Sequence, residues 1–221
     1  MQAYELDSPE RLRAHLARER QLYQPQPDGQ GALRWQALDD PAQPFVVQVE
    51  PPVFSAKAFF FAEREALFRY ESGRFIALQP QVRPQVLFGL AACDLTAVAY
   101  QDRFFAADPH YQARRAATLL VGLDCAQSCQ HGFCAMMDSG PEVRAHTADL
   151  ILCPLGRRWL LLVTSERGQQ ALAGLVLARA PADWAQQRDA QALQVAAEQG
   201  EQAEIALGCA ALNGETVDSR A

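Results

Sequence analysis

Two nearly all-apolar runs dominate the hydrophobic pattern of the chain. They read VLFGL at 86–90 and LLVGL at 119–123, and a helical pattern over 95–105 lies between them. Short apolar runs of this kind are typical of strands that are buried on both faces of a sheet. The spacing therefore predicts a strand–helix–strand crossover in which the two strands are parallel neighbours.

Weaker patterns predict the elements of the N-terminal third. Ser8, Pro9 and Glu10 are an N-cap residue, a first-turn proline and an acid that favours a helix N-terminus, so a helix is expected to begin here. Composition and β-branched residues supply the remaining expectations for this part of the chain. These are a loop over 24–43, a strand over 45–49 and a helix over 63–70.

The C-terminal half predicts a hairpin followed by helices. Apolar runs at 150–153 and 159–163 flank a short turn that contains a glycine, which is typical of two antiparallel strands. The segments 166–179 and 187–207 have helical composition, and the second is rich in Gln, Ala and Glu.

Composition and charge exclude several classes of protein. The chain has 221 residues, 49% of them hydrophobic and 21% charged, which is ordinary for a globular protein. The net charge is -6 and no Lys/Arg cluster is present, so we expect no nucleic-acid partner. No apolar run approaches the roughly 20 residues that span a bilayer, and no export signal is visible, so a cytoplasmic location without membrane insertion is expected.

Six cysteines in such a chain favour metal or redox chemistry over disulfides. Three of them, Cys125, Cys129 and Cys134, lie in the segment CAQSCQHGFC, and Cys93 follows the first buried strand as Cys125 follows the second. Because parallel strands end at the same edge of a sheet, Cys93 is the expected fourth member. Thiolates are the preferred ligands of iron-sulfur clusters and of zinc, so these four cysteines are the predicted metal ligands.

Other interpretations of these residues stay open at this point. The thiols can be buried free cysteines, or a redox switch, which requires a lowered thiol pKa. His131 is a further candidate ligand or a surface residue, and Asp94 is a candidate ligand or the N-cap of the following helix. Cys153, at the end of an apolar strand, is expected to be a core thiol, and Cys209 has no neighbouring thiol.

Catalytic motifs are missing from the sequence. It contains no Walker-type loop, no Gly-x-Gly-x-x-Gly fingerprint and no convincing pair of nucleophile and base. No catalytic residue is therefore assigned.

An ordered series of short motifs resembles a known family over residues 1–175. The motifs are PPVFSAKAFFF at 51–61, LFGLAACDL at 87–95, DRFF at 102–105, DPHY at 108–111 and VGLDC at 121–125. The family comprises the beta subunits of sulfhydrogenases and the corresponding electron-transfer subunits of anaerobic sulfite reductases. The resemblance implies a cytoplasmic subunit that conducts electrons between a flavin-containing, nicotinamide-oxidising partner and a catalytic subunit.

The resemblance also implies an iron-sulfur cluster in this domain. Cys93, Cys125 and Cys134 match family cysteines by position, whereas the family usually has a cysteine where this chain has Gly132, and Cys129 lies three residues earlier. The chain ends without the Cys-x-x-Cys-x-x-Cys run of the family's C-terminal ferredoxin-like module, which carries two clusters. We therefore expect a shortened relay.

These observations predict an α/β fold with a small mixed, partly parallel sheet, flanking helices, a cysteine-rich cluster-binding loop and a helical C-terminal tail. The expected domains are an α/β cluster-binding domain over 1–180 and a tail over 181–221 that leads toward the position of the missing module. The expected function is a non-catalytic electron-transfer subunit of a hydrogenase-like or sulfite-reductase-like complex, with one 4Fe-4S cluster on Cys93, Cys125, Cys129 and Cys134. The alternative is a zinc-stabilised or metal-free docking or assembly protein without a redox role.

Overall fold

A computed structural model describes residues 1–200 except Ala42, Val46, Gln48 and His131. Within these residues the chain has a mixed α/β fold with one eight-stranded sheet and a separate two-stranded hairpin. The strands are β1 (Gln2–Leu6), β2 (Gln21–Pro27), β3 (Leu33–Ala37), β4 (Phe68–Glu71), β5 (Arg74–Ala77), β6 (Gln85–Ala91), β7 (Thr118–Leu123), β8 (Leu150–Leu155), β9 (Arg158–Val163) and β10 (Ala178–Arg179). The α-helices are α1 (Pro9–Leu16), α2 (Ala92–Phe104), α3 (Pro109–Ala117), α4 (Glu166–Ala171) and α5 (Trp184–Gly200).

The large sheet has a parallel centre and antiparallel margins. Its strand order is β10-β1-β9-β8-β7-β6-β2-β3. The neighbours β2, β6, β7 and β8 are parallel, whereas β3, β9, β1 and β10 pair antiparallel at the two sides. The predicted mixed, partly parallel sheet is confirmed, but with eight strands it is larger than the small sheet that we expected.

Two hydrophobic clusters cover the two faces of this sheet. One joins Phe88 and Val121 to Leu12 and Leu16 of α1. The other joins Leu87, Leu120 and Ile151 to Leu95 of α2 and Tyr111 of α3, and Trp184 at the start of α5 packs against it. The buried apolar runs of β6 and β7 therefore supply side chains to both faces, as a central strand must.

A β-bulge at Gly89 sets the direction in which β6 enters α2. The register between β6 and β7 shifts between Phe88 and Leu90, and Gly89 has a φ of 85°, which glycine adopts without strain. Phe88 packs in the first cluster while Leu90 packs in the second, so the bulge reverses the alternation of side chains. Leu90 consequently packs in the same cluster as Leu95 of α2.

Several predicted elements are confirmed. The opening helix is α1, and its N-cap Ser8 accepts a hydrogen bond from the Arg11 amide. The strand–helix–strand unit is present with β6 and β7 as parallel neighbours, although α2 and α3 share the connection. The predicted hairpin is β8–β9.

Other elements differ from the prediction. Residues 24–43 are not a loop, because β2 and β3 lie within or across that range, and the described residues of 45–49 form no strand. Residues 63–70 are not helical: this segment leads into β4 of the exposed β4–β5 hairpin. The helix predicted over 166–179 ends at Ala171, and the one predicted over 187–207 is α5, with 201–207 outside the described residues.

None of the described helices is both long enough and apolar enough to cross a membrane.

Candidate metal centre

The carboxyl edge of the parallel strands brings Cys93 and Cys125 to comparable positions. Ala91 at the end of β6 and Leu123 at the end of β7 are register partners, and each cysteine lies two residues beyond its strand. The two residues between the buried run and Cys93 suggest a turn, but the structure has none: β6 continues directly into α2, and Cys93 lies in the first turn of this helix. Cys93 is exposed, whereas Cys125 is partly buried.

The segment between β7 and β8 folds back so that Cys134 reaches the same edge. The Cys125 amide donates to the Pro141 carbonyl at 3.2 Å, and the Ser139 amide donates to the Cys134 carbonyl at 2.9 Å. A Cβ atom added at Gly140 would lie 2.9 Å from the Cys134 Sγ and 3.3 Å from the Cβ of Ala92, the residue before Cys93. Gly140 therefore leaves space that the Cys134 sulfur and the start of α2 share.

A second glycine borders the sulfur of Cys129. A Cβ atom added at Gly132 would lie 3.1 Å from the Cys129 Sγ and 2.9 Å from Nε2 of Gln199. That same Nε2 lies 3.2 Å from the Cys134 Sγ. The Gln199 amide thus contacts the Cys134 sulfur, and a side chain at 132 would displace either this amide or the Cys129 sulfur.

A buried ion pair attaches α5 to the end of β7. Nε and Nη2 of Arg188 donate to the two carboxylate oxygens of Asp124 at 2.7 and 3.0 Å. Asp124 also accepts from the Val143 amide at 2.7 Å, and Arg188 donates to the Val143 carbonyl at 2.7 Å. The pair therefore joins β7, the cysteine segment and α5 immediately before Cys125.

Further contacts continue this attachment along α5. Nε2 of Gln191 donates to the Cys125 carbonyl at 3.2 Å, and Glu198 accepts from the Ser128 amide at 2.9 Å. One face of α5 thus covers the segment that carries Cys125, Cys129 and Cys134. The helix α5 therefore lines one side of the candidate site.

The acidities of the thiols show that the four cysteines interact. Burial, followed by the charges of Asp94 and Cys134, raises the pKa of Cys93 to about 11. Burial, followed by the charges of Cys134 and Cys93, raises the pKa of Cys125 to about 12. Cys129 acts in the same direction on both. Although Cys93 is exposed, burial is the largest cause of its shift, so its thiol lies at a rim where protein atoms replace part of the water.

The raised pKa values bear on two of the sequence interpretations. A redox-switch cysteine needs a lowered pKa, and Cys93 and Cys125 show the opposite. The thiolate charges of these cysteines repel each other, which disfavours their ionisation. A bound cation or cluster would offset these charges, so the cysteines suit metal binding better than a redox switch.

The donor set fits an iron-sulfur cluster or zinc in its chemistry. It consists of soft sulfur ligands, and Gly132 and Gly140 keep side chains away from two of the sulfurs. In their present orientations, however, no three His, Cys, Asp or Glu side chains of the described residues are placed to hold a metal ion.

The remaining candidates fall outside this group or outside the described residues. Asp94 is not the N-cap of α2, because that position is Ala91; it lies in the first turn, and burial raises the pKa of its carboxyl group. Cys153 is a fully buried core thiol in β8, as predicted. His131 and Cys209 lie outside the described residues.

Sequence reasoning missed most of the residues that shape the site. Gly132 was found from the sequence, and Asp124 could have been found from its place between a buried strand and Cys125, whereas Gly140 lies six residues beyond Cys134 and was missed. Arg188 and Gln199 have no such pattern, because both lie in a polar helical segment that is typical of a solvated surface.

Comparison with known proteins adds no relative. No family model matches the chain, and no curated protein and no solved structure matches it.

Proposed function

We propose that this protein is an electron-transfer subunit that carries one 4Fe-4S cluster on Cys93, Cys125, Cys129 and Cys134. It relays electrons between a flavin- or nicotinamide-dependent partner and a catalytic subunit in a hydrogenase-like or sulfite-reductase-like complex. The observation that carries the proposal is geometric: Cys93 and Cys125 each follow one of the register partners that end β6 and β7, and the Cys134 sulfur and Ala92 border the same space at Gly140. The family resemblance of the motifs supports the class of partner.

The protein's own residues have separate tasks in this proposal. A bound cluster supplies reversible storage of one electron. The α2 N-terminus presents Cys93, the end of β7 presents Cys125, and the segment under α5 presents Cys129 and Cys134. The ion pair of Asp124 with Arg188 holds α5 against this segment, which keeps the ligands in one place.

Exposed apolar side chains beside the ligands support a relay. Phe133, Met136 and Met137 immediately flank or follow Cys134 and are all exposed. Exposed apolar residues of this kind mark surfaces on which proteins dock. A relay needs such a surface close to its cluster, because the electron must pass to a docked partner.

Anaerobic purification followed by iron, zinc and acid-labile sulfide analysis tests the proposal. We expect about four irons and four sulfides per chain, and a loss of both in Cys125→Ser, which removes one thiolate ligand. The matched control is Cys153→Ala, which removes a buried thiol that lies beside the Asp124–Arg188 pair but is not a proposed ligand, and which should keep the iron.

The opposite results have defined meanings. Stoichiometric zinc without sulfide in fresh anaerobic protein contradicts the relay and supports a zinc-stabilised docking protein. Protein without any metal supports a metal-free docking protein. Equal loss of iron in Cys125→Ser and Cys153→Ala would mean that the iron depends on folding and not on the proposed ligands.

A further inference from the structure

Gln199, one residue before the end of α5, is a buried polar side chain. It is 1% exposed, although it lies in a helix whose composition is typical of a solvated surface. Burying an amide is costly unless its donors and acceptor are hydrogen-bonded. We therefore expect the hydrogen bonds of Gln199 to account for the burial of its side chain.

Its contacts are with the Cys134 region. Oε1 accepts a hydrogen bond from the Ala135 amide at 3.0 Å. Nε2 lies 3.2 Å from the Cys134 Sγ, and Oε1 lies 3.6 Å from the same sulfur, so Nε2 is the nearer of the two atoms. Because the Ala135 N–H can only donate, the oxygen of the side chain must face it. The NH₂ group of Gln199 is consequently the group that faces the sulfur.

The environment keeps this arrangement fixed. The space at Gly132 is too small for a Cβ atom, which would approach Nε2 of Gln199 to 2.9 Å. At the other end of α5, Arg188 is joined to Asp124 by two hydrogen bonds, so the helix cannot shift along the cysteine segment without breaking them. The amide therefore reaches Cys134 with little freedom.

We propose that Gln199 is a positioning residue that donates an N–H···S hydrogen bond to the Cys134 thiolate and thereby raises the reduction potential of the cluster. The inference rests on the proposed function, since it concerns a ligand of that cluster. A hydrogen bond to a ligand sulfur withdraws electron density from it, which favours the more negative, reduced form. Removing the donor should lower the potential.

Two variants separate the hydrogen bond from the packing. Gln199→Leu keeps the approximate volume but removes both polar groups. Gln199→Glu keeps an oxygen for the Ala135 amide and replaces the donor to sulfur by a second oxygen. The matched control is Gln186→Leu, which makes the same change at an exposed position of the same helix.

The experiment is an anaerobic redox titration of each purified protein, with iron and sulfide content and circular dichroism measured on the same samples. We expect a lower midpoint potential in Gln199→Leu and Gln199→Glu at unchanged iron and sulfide, and the wild-type potential in Gln186→Leu. Wild-type potentials in both Gln199 variants would overturn the inference while leaving the relay intact.

Other outcomes distinguish a failure of this inference from a failure of the proposed function. Folded Gln199 variants that lose their iron, or variants that do not fold, would overturn the tuning role, because the residue would then serve only assembly or stability. A wild-type protein without iron and sulfide would instead show that the proposed function itself has failed.

Discussion

At the scale of single residues, the site depends on the carboxylate that precedes Cys125. Asp124 is buried, and it is satisfied by Arg188 and by the Val143 amide. Burial alone lowers the pKa of Arg188, but the hydrogen bonds and charge of Asp124 raise it above its ordinary value. Arg188 therefore stays charged in the folded protein, and removing the Asp124 side chain takes away its main partner.

We predict that Asp124→Asn lowers the free energy of unfolding by about 3–5 kcal/mol, because it leaves the buried Arg188 with only the more distant, exposed Glu142 as a counter-charge. Urea denaturation measures this change. The control is Glu5→Gln, which removes the exposed partner of Arg158 and should cost less than about 1 kcal/mol. Equal losses in the two variants would contradict the structural role given to Asp124.

Gly140 gives a second prediction at this scale. Gly140→Ala places a Cβ atom 2.9 Å from the Cys134 Sγ, so the sulfur must move. We expect a loss of about 1–3 kcal/mol in unfolding free energy and a lower iron content after anaerobic purification. Gly29→Ala is the control, because nothing lies within 4 Å of its Cβ position. Wild-type iron in Gly140→Ala would show that the sulfur does not need this space.

At the scale of elements, α5 is as much a part of the folded core as of the site. Val195 on its inner face is 0% exposed, whereas Leu193 on its outer face is 72% exposed. The helix thus packs through a narrow apolar stripe, supplemented by the polar contacts of Arg188, Gln191 and Gln199.

We expect Val195→Ala to lower the free energy of unfolding by about 2 kcal/mol through the cavity that it leaves. Leu193→Ala should change it by less than about 0.5 kcal/mol, since the side chain is in solvent. Chemical denaturation of both variants checks the difference. A Val195→Ala variant as stable as Leu193→Ala would mean that α5 does not pack as described.

The elements also show which parts of the fold sequence reasoning can reach. The apolar runs of β6 and β7 predict buried parallel neighbours correctly because nothing else suits such runs. The strand β2 was missed because it contains Pro25 and Pro27, which are typical of a loop. Pairing with β6 involves Gln21–Tyr23 only, so both prolines lie beyond it, where their missing N–H groups cost no bond to β6.

The hairpin β4–β5 was missed for a different reason. The composition of 63–70 favours a helix, and the turn at Ser72 and Gly73 was overlooked. Both turn residues have positive φ, which is the signature of a tight hairpin turn. A Ser-Gly pair between two short runs was thus the available indication.

At the scale of the whole molecule, the topology accounts for half of the site. Parallel strands that end at one edge place Cys93 and Cys125 together, which follows from the sequence pattern. The return of α5 over the cysteine segment does not follow from it. That contact joins residues more than sixty positions apart through Arg188 and Gln199, and their identity gives no local indication of burial.

If the proposed cluster is bound, its removal should loosen this long-range arrangement. A group that binds only the folded protein stabilises it, so the metal-free protein should melt at a lower temperature than the loaded protein. We also expect faster trypsin cleavage after Arg144, the only basic side chain besides histidine between β7 and β8. Mass spectrometry of timed digests identifies the cut. Equal melting temperatures and equal cleavage rates would contradict metal binding by this segment.

The central claim is that these four cysteines hold a redox-active cluster. Electron paramagnetic resonance of the anaerobically purified protein, before and after reduction with dithionite, tests it most directly. The account predicts a signal from a reduced iron-sulfur cluster that appears on reduction, disappears on reoxidation and is missing from Cys125→Ser. A protein that stays silent under reduction while containing zinc, or containing no metal, would contradict it.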